Sequence, residues 1–445
     1  MKMKRLVVTM TMAMGLAAAF AAGELDEAVL HGETDKARAI DYAPGETMTF
    51  TLSLQGAKPF AADTYFLDWT RSGDDGKMEK GREPLVFGKS FTYRTSLKKP
   101  GFVRLFAQVS DKAGKAYLRQ PAGGRLNTVA FDGGAGVEPE KLASVPEPAD
   151  FDDYWAEFGR RLAAVPIKAE RKRLADRNGV EVYAVSIACA GPRPVTGYLT
   201  VPKGAAEGRR YPARLETHGY SYAPPHNPPD RINPYEIVLN INAHGMPLPA
   251  FGATEAQYKA LGEAIRSNGQ DYAKDIVQNS NRDQAYFNGM VLRVKRALQY
   301  LKTLSEWNGR DLYASGGSQG GLQTIWAAGC GEGVTAAESG ITWCCDIGGT
   351  EFGRNRGRSF IRWTPALGYY DAVNVARRIP ETCRTFIFRA GLGDYTCPPS
   401  GLAILWNNLS CPSRIKWIQG STHGYIPTEP HQEFIVVRDW KEQNR

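Results

Sequence analysis

Ser318 stands in the stretch Gly316-Gly317-Ser318-Gln319-Gly320, a G-x-S-x-G pattern. In a chain with 47 glycines that pentapeptide is weak by itself. Its chemistry would be nucleophilic. A serine hydroxyl attacks well only when a histidine takes its proton and an acid orients that histidine. Both partners follow in the chain. Asp394 lies in "GLGDYTCPPS" and His423 in "IQGSTHG", giving the order serine, acid, histidine. Of six histidines, only His423 and His431 follow Asp394. His431 comes directly after Pro430 and suits a cap or the surface. Asp346, after "GITWCC", is the alternative acid; Asp394 is preferred because its loop directly precedes the histidine strand.

The elements around these residues give the pattern its meaning. From residue 178 onward strand and helix patterns alternate. "VEVYAVSIAC", "PVTGYLTVP", "YPARLETHGY", "YEIVLNINAHG", "DLYASGG", "CRTFIFRAGLGD" and "SRIKWIQGSTHG" read as strands, with "GITWCC" as another. "DFDDYWAEFGRRLAAV" and "AYFNGMVLRVKRALQYLKTL" carry apolar residues at helical spacing, and a helix is expected from about Gln319. Gln432 to Lys441 reads as a closing helix. The fold class is therefore α/β, with a mainly parallel doubly wound sheet and helices on both faces. Ser318 falls between a strand and a helix, where an α/β-hydrolase carries its nucleophile elbow, and Asp394 and His423 fall in loops past strand C-termini. An oxyanion hole needs two backbone N–H groups. Gln319, after the serine, offers one, and Tyr220 in "ETHGYSYA" offers the other, with His218 as a structural neighbour.

Ahead of this lies a different pattern. Residues 24–133 alternate apolar and polar side chains in "ETMTFTLSL", "KSFTYRTSL" and "GFVRLFAQVSD", which predicts a small all-β, immunoglobulin-like sandwich. Asp132-Gly133-Gly134-Ala135-Gly136 and "VEPEKLASVPEPAD" have linker composition. The expected division is a signal peptide over 1–21, a β-sandwich over 22–133, a linker over 134–149 and the α/β unit over 150–445. Lys2, Lys4 and Arg5 precede an uncharged apolar run ending at Ala19-Phe20-Ala21, the pattern of a cleaved leader. That predicts an exported protein, periplasmic or secreted, free of the membrane once the leader is removed. The formal charge is +8, and removing the three leader cations leaves +5. This mild charge, without interleaved aromatic and basic residues, argues against a nucleic-acid partner. No C-x-x-C or H-E-x-x-H is present despite His218, His226 and His244, so neither metal nor organic cofactor is expected. Seven cysteines leave the pairing open, and Cys344-Cys345 is expected to be buried.

Taken together and in order, "FDDYW", "HGY" at 218–220, "GGSQGG" at 316–321, "YYDAVNVARRI" at 369–379, "GLGDYTCPPS" at 391–400 and the final His423 resemble the acetyl xylan esterase and cephalosporin C deacetylase group, carbohydrate esterase family seven. The resemblance runs from about Asp150 to the C-terminus. It implies Ser318, Asp394 and His423 as a triad, Tyr220 and Gln319 as the oxyanion hole, acetylated oligosaccharide or polysaccharide as substrate, and a homo-oligomer as an assembly open to the chain. Two places depart from the family pattern: "INAHGMP", Ile241 to Pro247, stands where Arg-Gly-Gln is usual, and Gly424 follows the histidine. Two other readings share the residues: a serine hydrolase of another acyl ester or peptide, and an inactive exported polysaccharide-binding protein.

Overall fold

The alternating N-terminal pattern folds as strands. The computed structural model describes residues 23–119, 127–230, 232–357, 360–428 and 430–439, so the leader read at 1–21 lies outside the described residues. The first nine strands are β1 (Val29–Thr34), β2 (Thr47–Gln55), β3 (Tyr65–Gly73), β4 (Met78–Pro84), β5 (Phe91–Ser96), β6 (Gly101–Asp111), the short pair β7 (Leu118–Arg119) and β8 (Asn127–Thr128), and β9 (Ala130–Val137). Two antiparallel sheets, β1-β2-β5 and β4-β3-β6-β9, share a core that includes Phe50, Leu52, Leu67, Leu105 and Ala107. Every second residue of β2 and β6 points into it, as a sandwich requires.

The Gly-rich run from Asp132, which has linker composition, is instead the inner part of β9, buried from Gly133 to Val137. Its glycines serve close packing. The Gln419 side chain accepts the Gly134 N–H at 2.9 Å and donates to the Gly134 carbonyl at 2.9 Å.

The second body is one sheet of ten strands. It adds β10 (Ala169–Arg173), β11 (Val180–Ile187), β12 (Val195–Pro202), β13 (Tyr211–Thr217), β14 (Ile237–Ile241), β15 (Trp307–Gly317), β16 (Ala336–Gly340), β17 (Arg384–Gly391), β18 (Ser413–Ile418) and β19 (Glu433–Arg438), in the order β10-β11-β12-β14-β13-β15-β16-β17-β18-β19. From β14 to β18 neighbours are parallel; the flanking strands are antiparallel. The chain leaves β13 first toward β14 and then toward β15 to β18, which is doubly wound order. Its helices are α1 (Phe151–Ala163), α2 (Glu255–Ala264), α3 (Ile276–Asn279), α4 (Tyr286–Leu301), α5 (Gln319–Gly329), α6 (Ala372–Ala376) and α7 (Pro399–Asn407). Phe151, Tyr154, Phe158 and Leu162 form the buried face of α1. Helices α1, α4, α5, α6 and α7 pack side by side in one layer. The crossover from β13 to β14, with its prolines in "APPHNPPD", carries no helix among its described residues, and Arg214, Glu216, Glu338 and Phe388 on the opposite sheet face remain partly exposed. Those five helices thus share one face, while on the other the short turn Pro249–Phe251 packs against Ala184 and Tyr198.

Two other expectations are corrected. The described part of Gln432 to Lys441 is the edge strand β19 and not a helix; Ile435, Val436 and Val437 suit a pleated surface. "GITWCC" leaves the sheet after Gly340, because Ile341 and Cys344 both take positive φ, 39° and 55°. All seven cysteines are free, and Cys344 and Cys345 are buried as expected. No helix among the described residues is long and apolar enough to cross a membrane.

The two bodies meet at a seam of aromatic and polar contacts. Phe102 of β6 stacks on Trp417 of β18, with centroids 5.7 Å apart, beside the Gln419–Gly134 pair. Gln419→Leu would keep the size and orphan both Gly134 groups. It should lower stability by about 1–3 kcal/mol for each orphaned group, seen as a lower midpoint of urea unfolding.

Candidate active site

Strand β15 ends at Gly317 and α5 begins at Gln319, so Ser318 is the single residue of the turn. Its backbone sits at φ 58°, ψ −121°, outside the ordinary regions for a residue with a Cβ. Hydrogen bonds hold it there. The Ser318 N–H donates to the Gly340 carbonyl at 2.9 Å, and the Ser318 carbonyl accepts from Leu322 and Trp343, each at 3.1 Å. A Cβ placed on Gly320 would lie 2.3 Å from the Thr217 carbonyl oxygen, so α5 can approach β13 this closely only with glycine.

Asp394 lies in the turn after β17 and is fully buried. Its Oδ1 accepts the N–H groups of Thr396 (3.0 Å) and Cys397 (2.9 Å), and its Oδ2 faces His423 Nδ1 at 3.0 Å. His423, in the loop after β18, is partly exposed. Arg389 of β17 binds that loop through the carbonyls of Thr422, His423 (3.2 Å) and Tyr425 (3.1 Å). Sequence reasoning missed Arg389, since nothing in "FIFRAG" distinguishes it from a solvated strand residue.

Asp346, the alternative acid, is bonded elsewhere. It pairs with Arg354, and burial raises its carboxyl to about 6. His431 bonds Glu433 at 2.9 Å.

The loop after β13 lies beside the serine: a side chain on Gly219 would come within 3.9 Å of Ser318 Cβ. Tyr220 stacks on Tyr272 at 4.1 Å and donates its hydroxyl to the Tyr272 carbonyl at 3.0 Å. The Tyr272 hydroxyl donates to the buried Gln319 Oε1 at 2.8 Å. Tyr272, also missed from sequence, therefore ties together the two residues whose N–H groups were read as oxyanion donors. His218 is structural, as expected: Nδ1 donates to the Gly219 carbonyl at 2.7 Å and Nε2 accepts the Ala243 N–H at 3.0 Å. Ala243 belongs to the segment Ile241 to Pro247. The same segment carries His244, whose ring bonds Tyr286 Oη and the Ser221 carbonyl, each at 2.7 Å. It braces the Gly219–Tyr220 loop from below.

Asp394, Cys397 and His423 offer ligand atoms within 4.8 Å of one another. Imidazole and carboxylate bond each other, and burial pushes the Cys397 thiol well up and so keeps it protonated. The set is suited to moving a proton.

The acetyl xylan esterase (AXE1) family matches residues 140–348 and 355–441. The chain belongs to the acetyl xylan esterase family. Its members are carboxylic ester hydrolases, and this chain is one of them. The esterase is 28% identical over 351 residues to acetyl esterase Axe7A of Xylanibacter ruminicola, covering 75% of this chain and 73% of that protein. Its fold matches the acetyl xylan esterase from Paenibacillus sp. R4 with TM-score 0.52 at 21% identity, over 64% of this chain and 93% of that one. It also matches acetyl xylan esterase 1 from Thermoanaerobacterium sp. JW/SL YS485 with TM-score 0.50 at 20% identity, over 66% of this chain and 93% of that one.

In the esterase both braced histidines stay neutral. Burial pushes His218 down and His244 down to about 3. An unfolded histidine takes its proton near 6.5. Below about 6.5 the unfolded chain therefore binds more protons than the folded one, and stability falls as pH drops. Unfolding free energies measured between pH 7 and 5 should show His244→Gln losing stability less steeply than the wild type, by up to ~1.4 kcal/mol per pH unit.

Proposed function

We propose that this chain is an exported serine esterase that removes acetyl groups from acetylated xylan or xylo-oligosaccharide through Ser318, His423 and Asp394. The observation that carries the reading is the 3.0 Å bond between His423 Nδ1 and Asp394 Oδ2. The acid in that pair is buried and already capped by two N–H groups, so its one free direction is toward the imidazole. That bond fixes the tautomer, leaving Nε2 as the base. Membership of the acetyl xylan esterase family and the 28% identical acetyl esterase support acetate as the acyl group. The leader pattern at residues 1–21 supports export, and the ten-stranded sheet, separate from the N-terminal sheets, supports the division into sandwich and catalytic unit.

On this reading His423 takes the Ser318 proton as Oγ attacks the acetyl carbonyl. The tetrahedral oxyanion forms against the backbone N–H groups of Gln319 and Tyr220, which need no reorganisation because Tyr272 already holds both residues. Asp394 stabilises the imidazolium. The imidazolium protonates the departing sugar oxygen, and the same base then activates water against the acetyl-enzyme. The strained Ser318 backbone, at φ 58° between strand and helix, is the kind of turn that exposes the nucleophile of an α/β-hydrolase.

The test is acetate release from acetylated xylo-oligosaccharide. The wild type should release acetate, and Ser318→Ala should lose roughly 10⁶-fold in kcat while remaining folded. Release by the folded Ser318→Ala protein at the wild-type rate would remove the serine mechanism. A folded wild type that leaves the oligosaccharide intact but hydrolyses a small synthetic ester would remove the carbohydrate assignment.

A further inference from the structure

Loop 391–395, which bears Asp394, is wedged between the histidine loop and the N-terminal sandwich. On one side the Gly393 N–H donates to the Ser421 carbonyl at 3.0 Å, and the Leu392 N–H to the Ile418 carbonyl at 3.0 Å. On the other side a Cβ on Gly393 would lie 1.8 Å from the Asp132 carbonyl oxygen of β9. The Asp132 carboxylate is held in a two-pronged pair by Arg104 of β6, Nε to Oδ1 at 2.7 Å and Nη2 to Oδ2 at 2.5 Å. The Arg104 guanidinium lies 4.5 Å over the ring of Tyr395, the residue after Asp394. Tyr395 is buried, and its carbonyl accepts the Gly357 N–H at 2.6 Å.

We propose that Arg104 and Asp132 are a positioning pair for Asp394, so that the sandwich completes the active site instead of riding beside it. The proposal rests on the triad reading above. The pair sets the seam side of the acid loop in two ways. Sterically, Asp132 backs Gly393 at van der Waals limit, and Arg104 clamps Tyr395. Electrically, Arg104 cancels a carboxylate that would otherwise face Asp394 across the seam. Burial alone would lower the Arg104 guanidinium, but the hydrogen bond and charge of Asp132, with lesser charge interactions from Tyr395 and Asp394, raise it. The ionisable groups around Asp394 are His423 after β18, Arg389 on β17, Cys397 and Tyr395 on its own loop, and Arg104 and Asp132 from the sandwich.

Removing only the cation should be worse than removing the pair. Arg104→Met leaves the mostly buried Asp132 carboxylate uncompensated behind the Asp394 loop, which adds negative charge beside the Asp394–His423 pair and frees the loop to shift. The experiment measures kcat and KM for 4-nitrophenyl acetate from pH 5 to 9 on the full chain, with melting temperature beside it. Arg104→Met should lower kcat about 10–100-fold at nearly unchanged KM and move the acid limb of kcat/KM to higher pH. Arg104→Met/Asp132→Asn should return that limb toward wild type, and Arg104→Lys, which keeps the charge, should leave it in place. If Arg104→Met does not fold, Arg104→Gln, which also removes the charge and leaves Asp132 in place, is measured instead. The proposal is overturned if the folded single variant that removes the charge matches the wild type in kcat and acid limb, whatever its melting temperature. Ser318→Ala runs alongside. An inactive Ser318→Ala beside a wild-type-like Arg104→Met or Arg104→Gln sinks this inference alone, whereas an active Ser318→Ala sinks the triad reading itself.

Discussion

The close crossing of β13 and α5 at Thr217 and Gly320 is the constraint from which the site follows. Thr217 Oγ1 donates to the Gly320 carbonyl at 2.8 Å, and Thr324 Oγ1 to the same oxygen at 2.9 Å, so the first turn of α5 is pinned to the end of the central strand. With helix and strand that close, one residue must reverse the chain, and Ser318 takes a φ of 58° to do so. The cost of such a backbone, on the order of 1–3 kcal/mol, is met by the three backbone hydrogen bonds on Ser318. The same crossing places the β13 loop against the serine. Any loosening of it would therefore move Ser318 and the Gly219–Tyr220 loop together.

Around that crossing the polar groups are satisfied mostly by neutral partners. Tyr272, His218 and His244 form a braced floor of hydroxyls, imidazoles and carbonyls beneath Tyr220 and Gln319. Neutrality matters here. A protonated imidazole at His218 or His244 would place a cation under the oxyanion loop and would break an acceptor bond at Nε2 of His218 or Nδ1 of His244. Burial opposes that protonation at both positions, whereas His423 is partly exposed and paired to Asp394. The segment Ile241 to Pro247, which departs from the usual family pattern, is part of this floor. Its place in the structure ties the departure to how the oxyanion loop is supported.

What was legible in the sequence was what local rules encode. The boundary at Ser318, the loops of Asp394 and His423, and the inward alternation of β2 and β6 each depend on residues a few positions apart. What failed depends on distant partners. Gly133 and Gly134 have linker composition, yet they are buried because Gln419 and the acid loop need backbone with no side chain in the way. Arg389 and Tyr272 are ordinary residues of a strand and a loop until the chain folds them onto His423 and Gln319. The β19 error was different in kind. The β-branched run Ile435-Val436-Val437 is itself a local strand signal, and it agrees with the edge strand found there.

The seam explains why glycine and aromatic residues are spent where they are. Domains joined within a chain move relative to one another by default unless the interface is large and apolar. Here the stacked Phe102 and Trp417, the Gln419 amide on Gly134, and the bond from Asn355 N–H to Asp74 Oδ1 at 2.8 Å lock the bodies at three separate points. The two solved acetyl xylan esterases are matched over 93% of their length by 64% and 66% of this chain, and the family match begins at residue 140, past the sandwich. The sandwich is thus additional to the fold those enzymes share, yet it packs against the loop that carries Asp394. A module kept only to tether or space the enzyme would gain nothing from an interface in which Gly393 touches Asp132 backbone. A wall for the acid loop requires that contact.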